Sequence, residues 1–274
     1  MIVILDAGLK GGEVMIIDAH VHIFPDKIAE KAAQGISAFY DIPVPFDGTL
    51  DTFLHLADSA GVDMAVIQSA ATSADQVESI NTFIAECVRQ YPDRLIGFMT
   101  LYPDYPDIEG EINRALQLGL KGVKLHPDFQ KFALDDPAVF PIYECLEGRL
   151  PVLVHTGDSR YAYSNPHRLA KVLDAFPRLD VIGAHFGGWS EWAEAAEVLK
   201  GRRLWVDTSS TTYALPAEQV RSLIDLFGME FVLFGTDYPM WGPADELRRL
   251  ENIPMRTEEH EAILYKNISK LLQL

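Results

Sequence analysis

Five of the eight histidines in this 274-residue sequence lie in short apolar stretches, and an aspartate ends another such stretch. These residues are His20, His22, His126, His155, His185 and Asp237. A donor set of imidazole nitrogen and carboxylate oxygen atoms without thiolates suits Zn²⁺ first, with Fe²⁺, Mn²⁺ and Co²⁺ as alternatives. A lone histidine is more often a hydrogen-bonded core residue. Several neutral imidazoles gathered around a carboxylate would compete for the same few partners, so the set predicts one divalent metal ion.

Eight short β-prone stretches alternate with amphipathic segments, which is the pattern of repeated βα units around a parallel sheet. The predicted strands cover residues 15–22, 64–70, 95–101, 122–127, 151–157, 180–188, 203–210 and 231–239. Predicted helices cover 49–60, 107–118, 137–147, 165–176, 189–199, 216–227 and about 258–272, and another has an apolar face from Val77 to Tyr91. Eight units predict an α/β fold, the (β/α)8 TIM barrel. A doubly wound sheet is the alternative, but no glycine-rich phosphate-binding motif follows the first strand.

The active site of such a barrel lies at the C-terminal ends of its strands, along which side chains alternate inward and outward. His20 and His22 share one parity, so we expect both to point into the barrel, and the other four residues of the set end later strands. The set should therefore meet at one mouth. We expect a single domain over 1–274. Residues 1–14 precede the first strand and form either a short strand at the bottom of the barrel or an extension foreign to the native protein.

Charge and composition exclude several classes of partner. The formal net charge is −17, from 23 basic and 40 acidic residues, which disfavours binding to nucleic acid or to an anionic membrane. Cys87 and Cys145 are too few for a disulfide framework, which suits a reducing cytoplasm. No apolar run approaches the about 18 residues of a membrane span, and no export signal is visible. We expect a cytoplasmic protein with a small-molecule substrate, and a homodimer is an open alternative.

Four motifs in this order resemble the amidohydrolase superfamily. They are DAHVH on the first predicted strand, VHTG on the fifth, AHFGG on the sixth and GTDYP on the eighth. Within the superfamily the chain resembles the amidohydrolase-related, metal-dependent group that includes aminocarboxymuconate-semialdehyde decarboxylase and the dihydroxybenzoate decarboxylases. The resemblance covers nearly the whole chain.

The resemblance implies a role for each residue of the set. It implies that His20, His22, His155 and Asp237 bind one metal ion, and that His185 is a catalytic acid or base. Asp237 would also orient a water molecule and receive its proton. Superfamily members with two metal ions bridge them by a carboxylated lysine on the fourth strand, where this chain has Lys124. Because Lys124 lies two residues before the strand end, we expect one metal ion, with Lys124 and His126 near the substrate.

The same resemblance leaves two reactions open. One is hydrolysis of a C–N or C–O bond in an amide, lactone or ester by a water molecule whose pKa the metal lowers toward ~7. The alternative is decarboxylation of a small unsaturated or aromatic carboxylic acid. Some decarboxylases of the group replace the first histidine of HxH by glutamate and this chain does not, which favours hydrolysis. A non-catalytic metal-binding barrel would leave His185 without a role, and a phosphoesterase would want a carboxylate on the third strand.

Other polar residues have two interpretations each. Arg160 could bind a substrate carboxylate through two hydrogen bonds or be a solvated surface charge. Asp18 could hydrogen bond a ligand imidazole or serve the core, and Asp207 could face the site or cap a turn. The long segment 23–48 contains Phe24, Phe39, Tyr40 and Phe46, which form a lid over an apolar substrate or, as the favoured account, pack against helices.

Overall fold

The computed structural model describes residues 14–274, so the predicted extension 1–14 lies almost wholly outside the described residues. Eight parallel strands form one sheet in the order β1 to β8. They are β1 (Ile17–His22), β2 (Met64–Gln68), β3 (Leu95–Thr100), β4 (Gly122–Leu125), β5 (Val152–Val154), β6 (Val181–Gly183), β7 (Trp205–Asp207) and β8 (Val232–Leu233). Backbone hydrogen bonds from Ala19 to Phe234 (2.8 Å) and from His22 to Tyr238 (2.8 Å) join β1 to the chain after β8. The predicted (β/α)8 barrel is confirmed.

Twelve α-helices surround this sheet within the described residues. They are α1 (Asp26–Tyr40), α2 (Leu50–Ala60), α3 (Val77–Gln90), α4 (Ile108–Gln117), α5 (Pro127–Gln130), α6 (Phe140–Leu146), α7 (Pro166–Ala175), α8 (Trp192–Val198), α9 (Ala217–Phe227), α10 (Pro243–Glu251), α11 (Thr257–Glu261) and α12 (Asn267–Leu272). Side chains at helix starts accept backbone hydrogen bonds, as Thr49 does for α2 and Asn165 for α7. The sequence did not predict α1, α5 or α10. None of the described helices is long and apolar enough to cross a membrane.

Apolar side chains fill two layers. An inner cluster inside the barrel includes Ile17, Ala19 and Val66, and a larger outer cluster between sheet and helices includes Val21 and Ile23. The odd-numbered residues of β1 therefore point into the barrel up to Ala19 and away from its interior from Val21 onward. The change occurs where the pairing of β1 with β2 has a register irregularity. A β-bulge of this kind re-aims side chains beside active sites. It allows the strand to present an apolar residue inside the barrel and His20 and His22 at its mouth.

Several strands end earlier than predicted, and candidate site residues lie just beyond them. The predicted strand 180–188 stops at Gly183, and His185–Gly187 form one turn of 3-10 helix. His185 and Asp237 have φ angles of 59° and 63°, in the left-handed region. This conformation is uncommon for residues other than glycine, and it recurs at functional sites where the surrounding structure holds it in place. Local periodicity cannot predict it, because it is fixed by the packing of the following turn.

Candidate active site

Three ligand-type atoms meet at the C-terminal mouth of the barrel. His20 Nε2 lies 3.1 Å from His22 Nε2, and Asp237 Oδ1 lies 3.4 Å and 3.6 Å from these two atoms. Atoms bound at 2.0–2.2 Å to one ion are about 3 to 3.5 Å apart, so the spacing fits a shared cation. Both His20 and Asp237 are buried. These three residues, called the metal cluster below, fit the donor chemistry of a divalent metal ion.

Residues at and just after the end of β7 contact the Nδ1 side of the His20 imidazole. Its Nδ1 is 2.8 Å from Asp207 Oδ2 and 3.0 Å from Ser209 Oγ. Burial alone would raise the pKa of Asp207, but the adjacent His20 and its hydrogen bond lower that pKa from 3.8 to about 2. An ionised Asp207 accepts the Nδ1 proton of His20, and this leaves the Nε2 lone pair of His20 directed at the metal cluster.

Asp237 is oriented by a second chain of hydrogen bonds. Ser210 Oγ donates to Asp237 Oδ2 (2.6 Å), and Trp241 Nε1 donates to Ser210 Oγ (2.9 Å). Because Oδ2 is engaged in this way, Oδ1 faces the two histidines. Burial would raise the pKa of Asp237, but the nearby His20 and His185 hold it below its ordinary value. The carboxylate is therefore kept in the charged form that a metal ion binds.

His155, directly after β5, and His185, in the turn after β6, contact each other. His155 Nδ1 is 3.0 Å from His185 Nε2, while His155 Nε2 is 3.1 Å from the carbonyl oxygen of Gly157. His185 Nδ1 is 2.9 Å from the carbonyl oxygen of Ser209, and its ring stacks on that of His20 with centroids 5.3 Å apart. The structure thus brings His155 to the mouth but not into the metal cluster, and its role as a ligand stays a prediction. His185 lies beside the cluster.

Lys124 and His126 lie at different depths. Lys124 is fully buried, and its Nζ is 3.0 Å from His20 Nε2. Burial lowers the pKa of Lys124 from 10.5 to about 8. The expectation that Lys124 lies near the substrate stays a prediction: its Nζ ends beside the metal cluster, and the residue is not among those that line the cavity. His126 instead lines the cavity above, with its Nε2 3.0 Å from the hydroxyl oxygen of Tyr40.

A cavity of about 280 Å³ opens on the metal cluster. Its walls come from the barrel mouth and from α1, which covers the cavity on the side away from the barrel. The lining residues are His22, Phe24, Ala32, Gly35, Ile36, Phe39, Tyr40, Ala70, Thr72, His126, Phe129, His155, Asp237, Pro239 and Met240. The segment 23–48 therefore forms a lid, as one of the two sequence interpretations held. Phe46 follows the other interpretation, because it stacks on Tyr238 with centroids 5.7 Å apart.

Arg160 does not line this cavity. Its Nε and Nη2 donate to Asp158 at 2.9 Å and 2.7 Å, and its Nη1 donates to the carbonyl oxygen of Phe39 at 2.6 Å. The guanidinium also lies over the rings of Phe39 and Tyr40, at 5.1 Å and 5.4 Å from their centroids. The contact of Arg160 with a substrate carboxylate stays a prediction; in this structure its guanidinium bonds to Asp158 and attaches the end of α1 to the loop after β5.

Asp18 follows the second of its two interpretations, that of a buried structural residue. Its carboxylate accepts from the Thr236 hydroxyl (2.6 Å) and from the backbone N–H groups of Thr236 (3.0 Å) and His20 (3.1 Å). It therefore ties β1 to the turn after β8 and does not contact an imidazole. The residue that does so is Asp207, which the sequence left undecided. Ser209 and Ser210 were not predicted as site residues, and the only signal for them was the polar run DTSST at the end of the seventh predicted strand. Tyr40 was predicted only as a possible lid residue.

Comparison with known proteins decides the family. A model of the Amidohydrolase family matches residues 17–274. The chain belongs to this family. An amidohydrolase relative, 2-amino-3-carboxymuconate-6-semialdehyde decarboxylase from Dictyostelium discoideum, is 26% identical over 215 residues, which are 63% of this chain and 58% of that protein. The amidohydrolase chain thus spans well under two thirds of that relative's length.

Solved structures share the amidohydrolase barrel. The 5-carboxyvanillate decarboxylase of Sphingomonas paucimobilis superposes with a TM-score of 0.76 at 18% identity, over 96% of this chain and all of that chain. A dihydroxybenzoic acid decarboxylase of Polaromonas, solved with bound manganese and 2-nitroresorcinol, gives a TM-score of 0.74 at 16% identity, over 96% of this chain and 98% of that one. At these identities the likeness shows the fold alone. The family and the His/Asp cluster together indicate a metal-dependent enzyme.

Proposed function

We propose that this protein is a metal-dependent decarboxylase of a small unsaturated or aromatic carboxylic acid. One observation carries the proposal: a cavity walled mainly by apolar and aromatic side chains opens directly on the metal cluster. An apolar wall binds the body of a planar substrate, while the cluster binds its charged group. The decarboxylase relatives support this reaction over the hydrolysis that the HxH motif favoured in the sequence.

The side chains of the site would divide the work as follows. Phe39, Phe129 and Met240 contact the ring or unsaturated body of the substrate. His20, His22 and Asp237 hold the cation, with His155 as the predicted further ligand. When bound, the cation supplies a positive charge that orients the substrate and stabilises negative charge developing on its oxygen atoms. We propose Zn²⁺ or Mn²⁺ as this ion.

Decarboxylation also needs a proton at the carbon that loses CO₂. The C–C bond breaks, CO₂ leaves, and the electron pair that remains on carbon takes up the proton. His185 is the proposed acid, because its ring lies against His20 and its Nε2 contacts His155, which lines the cavity. Tyr40 and α1 cover the cavity, so they limit the access of bulk water to this carbon.

Isotope-labelled water tests the proposal. The purified protein is loaded separately with Mn²⁺ and Zn²⁺ and incubated with aromatic carboxylates, lactones and amides in water labelled with ¹⁸O and deuterium. We expect CO₂ release with deuterium on the product carbon and no ¹⁸O in the organic product. Protein treated with a chelator is the control and should be inactive. Label entering the product without CO₂ release would refute decarboxylation.

Hydrolysis is the second candidate, and one feature of the cluster favours it. The first position of the HxH motif is His20, whereas some decarboxylases of the group have glutamate there. The Asp237→Asn variant separates the two reactions. Its amide oxygen can still contact a metal ion but cannot accept a proton from water, so hydrolysis should stop even when the metal content is unchanged.

A further inference from the structure

The cavity over the metal cluster contains no cationic side chain among the described residues. Its polar lining consists of His22, Thr72, His126, His155 and Asp237, and the remaining walls are apolar or aromatic. Apart from a bound metal ion, the lining offers no permanent positive charge to a substrate. A second anionic group on a substrate would therefore find no counter-ion in this cavity.

The two basic residues nearest to the cavity are already engaged. The guanidinium of Arg160 donates twice to the buried Asp158 and once to the carbonyl oxygen of Phe39. Lys124 is fully buried beside the metal cluster, with Nζ 3.0 Å from His20 Nε2. Releasing Arg160 to reach a substrate would leave the buried Asp158 carboxylate without its partner, which is unfavourable. Lys124 is not among the residues that line the cavity.

Acidic side chains also lie at or behind the wall of this cavity. Asp128 lies behind the cavity wall, with Oδ2 3.7 Å from His155 Nε2, and Asp237 is part of the wall itself. Asp158 is buried behind Arg160. A negative group placed away from the cation would enter surroundings where water is largely excluded and no counter-ion lines the wall, which opposes its binding.

We infer that the substrate carries a single carboxylate, which the metal cluster binds, and that the rest of the substrate is uncharged. This inference rests on the proposed function and narrows its substrate class to monocarboxylic acids. The small cavity, about 280 Å³, agrees with one ring bearing few substituents. Phe39 and Phe129 lie edge to face with centroids 4.6 Å apart and give the cavity an apolar, aromatic wall for such a ring. A dicarboxylic acid would bury its second charge against this wall.

The test uses two ligands of nearly equal shape and different charge. Binding of 3-nitrobenzoate and of isophthalate (benzene-1,3-dicarboxylate) to the Mn²⁺-loaded protein is measured by calorimetry, since a nitro group matches a carboxylate in size and planarity without its charge. We expect 3-nitrobenzoate to bind at least about 100-fold more tightly than isophthalate. Equal affinity, tighter binding of isophthalate, or binding of neither ligand would overturn the inference.

A variant that adds a cation makes the test reciprocal. Ile36 lines the cavity from α1 and is partly exposed, so a longer side chain can be placed there. Ile36→Arg should shift the ratio of the two affinities toward isophthalate by at least about tenfold, whereas the uncharged control Ile36→Gln should leave this ratio unchanged. If Ile36→Arg does not fold, Thr72→Arg at the exposed rim is used with Thr72→Gln as its control. An unchanged ratio of the two affinities in a folded arginine variant would count against the inference.

Binding and turnover report on different claims. Calorimetry with these two ligands needs no reaction, so the charge preference is measured even if neither compound is a substrate. Absence of CO₂ release from any monocarboxylic acid, together with the expected binding ratio, would refute the decarboxylase proposal alone. CO₂ release from dicarboxylic acids at equal efficiency would refute the single-carboxylate inference and leave the decarboxylase proposal standing.

Discussion

The contact between Asp207 and His20 makes a quantitative prediction for metal affinity. In Asp207→Asn the amide oxygen can still accept the His20 Nδ1 proton across the present 2.8 Å, but it carries no charge. A hydrogen bond to a charged group contributes about 1.5–3 kcal/mol and a neutral one about 0.5–1.5 kcal/mol, so this change alone costs about 1 to 1.5 kcal/mol. That corresponds to a roughly tenfold loss of affinity.

A second effect of the same substitution increases the loss. The other carboxylate oxygen of Asp207, Oδ1, accepts from the backbone N–H of His185 at 2.9 Å and from the Ser209 hydroxyl. In Asn the group at this position is an amide NH₂, which is a donor facing donors. We therefore expect Asp207→Asn to weaken Mn²⁺ or Zn²⁺ binding by about 10- to 100-fold, the range usual for the hydrogen-bond partner of a ligand imidazole.

The assay is a metal titration of chelator-treated protein by calorimetry, and the matched control is Asp18→Asn. Asp18 is equally buried and lies on β1 beside the ligands, but it bonds the Thr236 hydroxyl and backbone groups only. The control should lower the melting temperature and keep metal affinity within about threefold. Wild-type affinity in Asp207→Asn, or an equal loss in Asp18→Asn, would refute the assignment of Asp207 as the residue that orients His20.

Three further predictions concern other parts of the barrel. Burial raises the pKa of Glu246 from 4.5 to about 7, so the folded state retains a proton that the unfolded state has lost. This contribution to the free energy of unfolding is fully present below pH 4.5 and is lost by pH 7. As the pH rises between these values, Glu246→Gln should therefore become more stable relative to wild type by up to about 3 kcal/mol, measured by urea unfolding. Curves of unfolding free energy against pH that run parallel for the two proteins would contradict this. The buried Gln68 amide has no hydrogen-bond partner among the described residues, so Gln68→Met should raise the free energy of unfolding by about 1 kcal/mol; a lower melting temperature would count against it. Arg160→Ala should increase hydrogen exchange in α1 and leave metal content unchanged, whereas unaltered exchange would show that Arg160 does not attach the lid.

The barrel itself could be predicted because its signals are local. Each strand is short and apolar, each following helix repeats its apolar residues every three or four positions, and eight such units have one common closed solution. The gathering of His20, His22 and Asp237 followed from the rule that strand ends meet at one mouth. The bulge in β1 does not separate the two histidines, because it precedes both of them, and His20 and His22 still point to the same side of the strand.

Side-chain partners within the mouth could not be predicted in the same way. Asp18 and Asp207 are both buried aspartates, near the start of β1 and at the end of β7, and only the three-dimensional packing decides which of them reaches the His20 ring. Arg160 is engaged by Asp158, two residues before it, in a loop whose turn geometry no periodicity encodes. α1 was missed because it lies inside a long connection whose aromatic residues suited either a lid or a packed helix.

The position of Lys124 bears on the number of metal ions in the site. An amine 3.0 Å from His20 Nε2, with its side chain fully buried, ends at one of the atoms that the first cation needs. A bridging carbamate would have to extend this side chain by three further atoms toward ligands of a second ion. The single lone pair of His20 Nε2 binds either this amine or the cation, so we expect Lys124 to give up the contact when the ion binds. One metal ion per chain stays a prediction, which metal analysis of protein purified without added metal tests; two tightly held ions would contradict it.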